Sequence, residues 1–143
     1  MKYILDTNVY IGAFHSESRR VQFQQVFFPL LPATFLSAVV AYELSVNARD
    51  RHTQDLLNEY IAPMRRAGRI VAPAFDDWIT ASEIITAIGQ GEKRWKSKLP
   101  LLLNDALIAI CARRIGATLL TYNEADFCLI HRHKDFSLQI LKG

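Results

Sequence analysis

At 143 residues, half of them hydrophobic, the chain is sized for one domain with its own core, which excludes a disordered tail and any need for disulfide or metal staples. A net charge of +3 and a pI near 9.0 fit a nucleic-acid partner without requiring one, and exclude a histone-like polycation. The two cysteines, Cys111 and Cys128, lack CxxC or CxxH spacing, which excludes a disulfide framework or structural zinc and reads as core thiols in a reducing compartment.

Tyr3, Ile4 and Leu5 form a short apolar run that predicts a buried strand, with Asp6 at its end and Thr7-Asn8 leading into a helix over Val9 to Phe14. Asp6 interrupts that run, so no secretory leader is expected and the protein should stay in the cytoplasm. Ser18 to Phe28 reads as a helix. The uncharged stretch Val26 to Tyr42 raises a membrane question, but Pro29, Pro32, Thr34 and Ser37 divide it into loop, strand and helix, so no membrane association is expected. The strand is Ala33 to Leu36, and Ser37 caps a helix reaching about Arg49. Thr53 to Ala67 continues helical, with Pro63 bending or ending it and Gly68 as its stop.

Arg69 to Ala72 predicts a short strand, and Asp76-Asp77 start a helix through Ile88 that Gly89 closes. GQGEKRWKSK, glycine-bearing and charged, reads as a loop or a helix–helix connection. Asn104 to Ile115 is a helix with Arg113 and Arg114 in its last turn and Gly116 beyond. Ala117 to Thr121 and Leu138 to Leu141 complete the strands. Strands separated by helices imply a mostly parallel sheet with helices on both faces, in one domain over residues 1–143.

In such a sheet, ligands bind at the carboxyl ends of the strands, and several acids fall there. Asp6 follows the first strand; Asn123, Glu124 and Asp126 of TYNEADF follow the strand ending at Thr121. Glu43 lies inside the apolar helix SAVVAYELSV, sharing a helical face with Val39 and Val46, where an ionised carboxylate is costly unless paired. Snorkelling or pairing with Arg49 would explain Glu43 without a function. Asp105, in LPLLLNDALIAICARR, is explained equally well as a helix cap together with Asn104. What favours a shared role is that all these positions fit one sheet edge.

Two carboxylates about 4 Å apart repel by about 4 kcal/mol at an effective dielectric near 20, so a cluster needs protons or cations. A hard divalent ion such as Mg²⁺ takes one or two carboxylates directly and keeps waters that others can hold. Hydrolysis of a phosphodiester is the reaction that best fits such a cluster.

The quoted segments ILDTNVYI, VVAYEL, NDALIAICARRIGATLLT and TYNEADF, in that order from residue 2 to residue 127, resemble those of PIN-domain nucleases, and more narrowly VapC-type toxins of toxin–antitoxin pairs. The resemblance implies a three-layer α/β/α sandwich and an endoribonuclease dependent on Mg²⁺ or Mn²⁺. It puts the family's acids on Asp6, Glu43, Asp105 and Asp126, with Asp6 and Asp105 as metal ligands and Glu43 and Asp126 holding water on the ion or a second ion. It makes Thr7, Asn8, Thr121 and Asn123 the polar residues that orient those carboxylates. Glu124 competes with Asp126 for the inward position. A homodimer and a cognate antitoxin protein are further implied partners.

EKRWKSK sets Lys93, Arg94, Lys96 and Lys98 around Trp95, which suits phosphate contact and base stacking on an RNA substrate; a solvated loop explains it as well. The pair His131 and His133 lacks a third ligand for zinc. Other classes remain open: a nuclease of the same fold in RNA processing or DNA metabolism, or a catalytically silent binding protein. A phosphatase is disfavoured because Asp6-Thr7-Asn8 lacks the second Asp of DxD, and a receiver-like module because no Lys follows the penultimate strand.

Overall fold

The apolar run at the start of the chain becomes the middle of the sheet. The computed structural model describes residues 1–91 and 97–143, so Lys93, Arg94, Trp95 and Lys96 lie outside the described residues. Strands β1 (Lys2–Leu5), β2 (Thr34–Ser37), β3 (Ile70–Val71), β4 (Ala117–Thr121) and β5 (Ser137–Ile140) pair in the order β3-β2-β1-β4-β5, every pair parallel. Ile4, Leu5, Leu119 and Leu120 are buried, as expected for central parallel strands covered on both faces. Each such side chain contributes about 1.5–3 kcal/mol on burial. That anchoring fixes the strand ends that carry Asp6 and Thr121.

Helices α1 (Thr7–His15), α2 (Glu17–Leu30), α3 (Ala38–Asn47) and α4 (Arg51–Arg66) pack with one another on one side. Tyr10, Phe23, Phe27 and Tyr60 join their interface as an aromatic cluster, with ring centroids as close as 4.9 Å. Helices α5 (Phe75–Gly91), α6 (Leu99–Ile115) and α7 (Glu124–His131) form the other layer. The result is the three-layer α/β/α sandwich with a parallel central sheet. Among the described residues no helix is long and apolar enough to cross a membrane. Both cysteines are free, Cys111 in the core and Cys128 half-buried.

Several boundaries differ from the sequence reading for physical reasons. The α5 helix runs through Gly89 to Gly91; a Cβ at Gly89 would stand 2.9 Å from Leu99 Cδ1, so this glycine sits under the start of α6 rather than ending α5. Pro63 does not end α4, which continues to Arg66. The α6 helix begins at Leu99, five residues before Asn104, with Pro100 in its first turn where its missing N–H costs nothing. TYNEADF opens the short helix α7, which the sequence reading lacked. Gly116 closes α6 in the left-handed region at φ 69°, as read.

Candidate active site

The chain leaves β1 toward β2 on one side and returns through β4 toward β5 on the other, so the strand order reverses between β1 and β4. A crevice at the carboxyl ends of those two strands is the usual ligand position in this architecture. Asp6 occupies it. Its N–H donates to the Leu120 carbonyl at 2.9 Å, extending the β1–β4 ladder by one bond, and its side chain is 4% exposed. Oδ1 accepts the Thr7 N–H at 2.8 Å, and Oδ2 accepts the Thr121 hydroxyl at 2.7 Å. An N-cap normally serves the second or third helical N–H. Asp6 serves only the first, so capping does not account for where its second oxygen is held.

Glu43 reaches the same place from α3, which packs against both α1 and α6. The Thr7 hydroxyl donates to its Oε1 at 2.6 Å and the Asn104 amide to its Oε2 at 3.4 Å. No ion pair with Arg49 forms among the described residues. Val46 is 56% exposed, so Glu43 stands at the edge of the helix facing the crevice rather than in a buried stripe.

Asp105 lies in the second turn of α6 and caps nothing. Burial pushes its carboxyl up to about 8, and the charges of Asp6, Asp126 and Glu43, in that order, push the same way. A hydrogen bond with Asp126, which needs a proton on Asp105, adds to the rise. Burial likewise raises Asp6 to about 6, against the hydrogen bonds from Thr121 and Thr7, and the charges of Glu43 and Asp126 add to it. The four carboxylates therefore share one field, with no cation beside them among the described residues.

Asp126 sits in the first turn of α7. Asn123 caps that helix, accepting the Asp126 N–H at 3.3 Å, while its amide donates to Asp126 Oδ2 at 3.0 Å. This reciprocal arrangement explains the placement of the Asp126 side chain on structural grounds alone. Its additional role is the charge it places on Asp105 and Asp6. Glu124 is exposed and stands 4.0 Å from Lys142, turned away from the cluster.

The polar surround is continuous. The Thr121 hydroxyl also accepts the Asn8 amide at 3.3 Å and the Asn123 N–H at 2.9 Å, and Asn8 Oδ1 accepts the Tyr122 N–H at 3.3 Å. Thr7, Asn8, Thr121 and Asn123 all touch the acids or each other. Asn104 is the contributor that sequence reasoning assigned only to capping; its position beside Asp105 was the available signal. Lys98 is exposed at the start of α6. His131 pairs with Asp135 at 3.2 Å and meets Phe136 edge-on, and His133 is exposed.

Among the described residues no three Asp, Glu, His or Cys side chains form a ready-made metal cage. The donor set is nonetheless all oxygen, from carboxylates oriented by hydroxyls and amides. This suits Mg²⁺ or Mn²⁺, which accept few direct protein ligands, better than Zn²⁺.

Fold and site together define a class: α/β/α proteins with an acidic crevice at the switch point of a parallel sheet. A family model described as PIN domain matches residues 3–132, and the chain belongs to the PIN domain family. PIN domains are generally nucleases. No curated protein matches the chain. Among solved structures, VapBC2 from Rickettsia felis, bound to a DNA fragment from its promoter, contains a chain 22% identical with a TM-score of 0.67, covering 99% of this chain and 100% of that one. DNA-bound VapBC from Salmonella typhimurium gives 17% identity and a TM-score of 0.71, covering 98% of each chain. FitAB bound to a DNA fragment gives 19% and 0.71, covering 99% of this chain and 98% of the other. At these identities the likeness is one of fold.

Proposed function

We propose that the chain is a divalent-metal-dependent endoribonuclease, the toxin of a toxin–antitoxin pair acting in the cytoplasm. The observation that carries the reading is the shared field of Asp6, Glu43, Asp105 and Asp126 at the sheet's switch point, with Asp105 raised to about 8 by burial and by its acidic neighbours. Such a cluster is costly in an isolated chain and is relieved by a divalent cation. Toxin–antitoxin complexes of the same fold support the biological assignment, including the antitoxin partner. A homodimer is part of the same reading; exposed Phe75, Trp78 and Ile79 on α5 supply apolar surface for contacts between chains.

In this reading Asp6 and Asp105 hold the ion, and Glu43 and Asp126 orient water beside it. The bound ion supplies Lewis acidity toward the phosphoryl oxygen and lowers the pKa of water. The chain's own contribution is preorganisation. Thr121 and the Thr7 N–H hold the two oxygens of Asp6, Thr7 and Asn104 hold those of Glu43, and Asn123 holds Asp126. Attack in line at phosphorus needs no 2′-OH, so the choice of RNA over DNA rests on the likeness to VapC-type toxins. Lys93, Arg94, Trp95, Lys96 and Lys98 would add phosphate contact and stacking from the segment leading into α6.

The test is incubation of total cellular RNA with purified, antitoxin-free protein in Mg²⁺ or Mn²⁺ against EDTA, with Asp6→Asn alongside. Discrete metal-dependent fragments that vanish in the variant are expected. Intact RNA beside cleaved DNA under the same conditions would move the assignment to a DNA-directed nuclease of this fold; cleavage of neither would leave a silent binding protein.

A further inference from the structure

Beside the acid cluster, on the far side of Asn8, a cleft of about 290 Å³ opens between α1 and α2. We infer that this cleft is a nucleobase subsite, receiving one unpaired base next to the scissile phosphate and giving the proposed nuclease its sequence preference; the inference rests on that nuclease reading for the position of the phosphate. The volume lies at the lower end of ligand pockets, about 300–1,000 Å³, so it suits one base and not a duplex.

The walls have the chemistry such a guest needs. Tyr122, 41% exposed, stands on the rim, its backbone fixed by the bond from its N–H to Asn8 Oδ1. A half-open aromatic ring beside a phosphodiester site is a stacking platform, and single-stranded bases are read by stacking plus hydrogen bonds to their exposed edges. Gln22 faces the cleft from α2 with its side-chain amide engaged by no partner among the described residues, leaving a donor and an acceptor for a base edge. Arg19, one turn earlier and without an ion pair among the described residues, offers a cation for a flanking phosphate.

The floor is kept open by Gly12, one helical turn after Asn8. A Cβ at Gly12 would meet no atom within 4 Å, so packing of the fold does not demand glycine there. Its φ is not positive, so backbone conformation does not demand it either. Glycine in mid-helix costs about 0.5–1 kcal/mol relative to alanine. What the missing side chain does is leave the cleft its depth. Asn8 links the parts, its amide on Thr121 and its carbonyl on Tyr122, so the base platform and the Asp6 carboxylate share one rigid frame.

The experiment uses the full chain and four variants: Gly12→Leu, which fills the cleft; Gly12→Ala, its helix-matched control; Tyr122→Ala; and Asp6→Asn. A pool of short single-stranded RNA oligonucleotides of random sequence is cleaved in Mn²⁺ and end-mapped. Separately, each of the four ribonucleoside 5′-monophosphates is titrated without metal while the amide signals of Gly12, Gln22 and Tyr122 are followed by NMR. The expected result is a base preference at one position flanking the cut, and shifts of those amides by the preferred nucleotide. Gly12→Leu and Tyr122→Ala should reduce the preference roughly five- to hundredfold, the range that loss of one base stack produces, while Gly12→Ala keeps it. Unmoved amides, or Gly12→Leu cutting with the wild-type preference, overturns the subsite while leaving a nuclease in place. Nucleotide shifts that persist unchanged in Gly12→Leu place the nucleotide elsewhere and overturn it too. Wild-type protein that cuts nothing yet shows the nucleotide shifts supports the base cleft and sinks the nuclease reading instead.

Discussion

Asp77 and Asp6 are both buried, 5% and 4% exposed, but among the described residues only Asp77 has a cation beside it. Asp77, at the start of α5, accepts the Ala74 N–H at 2.8 Å and Arg114 Nε at 2.9 Å, and Arg114 extends to the Ala72 carbonyl at 2.7 Å. Its charge is matched, and the arrangement ties the loop after β3 to the last turn of α6. Asp6 has two side-chain hydrogen bonds and, among the described residues, no cation beside it; the charges that act on it are those of Glu43 and Asp126. Matched burial is what a fold does with a carboxylate for its own sake. Among the described residues the burial of Asp6, repeated at Asp105, has no such match, which is the ground for the proposed metal ion.

That difference is tested most sharply by amides. Asp6→Asn or Asp105→Asn should lower RNA cleavage by about 10²–10³-fold, the scale of removing one preorganised charge-stabilising group. Neither should lower the melting temperature: above about pH 8 each removes a charge with no cation beside it among the described residues, and below that Asp105→Asn replaces a carboxyl that is already neutral. Thermal unfolding beside cleavage rates checks both halves; a variant that melts far earlier would make Asp6 a structural acid like Asp77.

The same mismatch predicts how stability depends on pH. Asp105 is raised from 3.8 to about 8 and Asp6 to about 6, so between about pH 4 and pH 8 the folded protein holds protons that the unfolded chain has released. Stability therefore falls as pH rises through that window and levels off above it. Mg²⁺ or Mn²⁺ should flatten the slope by substituting for the protons, adding about 2.7 kcal/mol at a hundredfold excess over Kd, and EDTA should restore it. Denaturant unfolding at pH 5 and pH 8, with and without Mn²⁺, measures this. A slope that metal leaves unchanged would separate the acid cluster from metal binding.

The matched side of the comparison responds in the opposite way. Asp77→Asn should destabilise by about 1–3 kcal/mol while cleavage per folded molecule stays within a few-fold of wild type. The figure is at the modest end for a broken buried pair because the Arg114 side chain is 42% exposed and can return its charge to water. Chemical denaturation together with active-site-normalised rates distinguishes this from a loss of function.

How much of this was legible in the sequence follows from how local each signal is. Asp6 was legible because an acid directly after Tyr3-Ile4-Leu5 must stand at a strand end, and that end is on the switch point whatever the helices do. Asp105 was ambiguous because LPLLL hides a helix start: Asn104 and Asp105 look like caps, but α6 begins at Leu99 with Pro100 in its first turn, and only the longer helix removes the capping explanation. Gly89 misled for the converse reason, since its smallness serves the approach of Leu99, a neighbour that no local window contains. Asn104 was named as a cap, and its bond to Glu43 spans 61 residues, which no spacing rule reaches.

The smallest expected effect separates two acids only two residues apart. Glu124 and Asp126 both stand in the first turn of α7, so the helix N-terminus favours each charge about equally. Successive helical positions diverge around the axis, and only Asp126 turns toward Asn123 and the field of Asp105, while Glu124 faces Lys142. An exposed pair of that kind is worth at most about 1 kcal/mol and does not reach the crevice. Glu124→Gln should therefore leave cleavage within about twofold of wild type, against a loss of tenfold or more for Asp126→Asn, read from initial rates at saturating Mn²⁺. Equal losses in the two variants would mean that α7 supplies only a general negative potential, and the placement of Asp126 by Asn123 would have no part in the reaction.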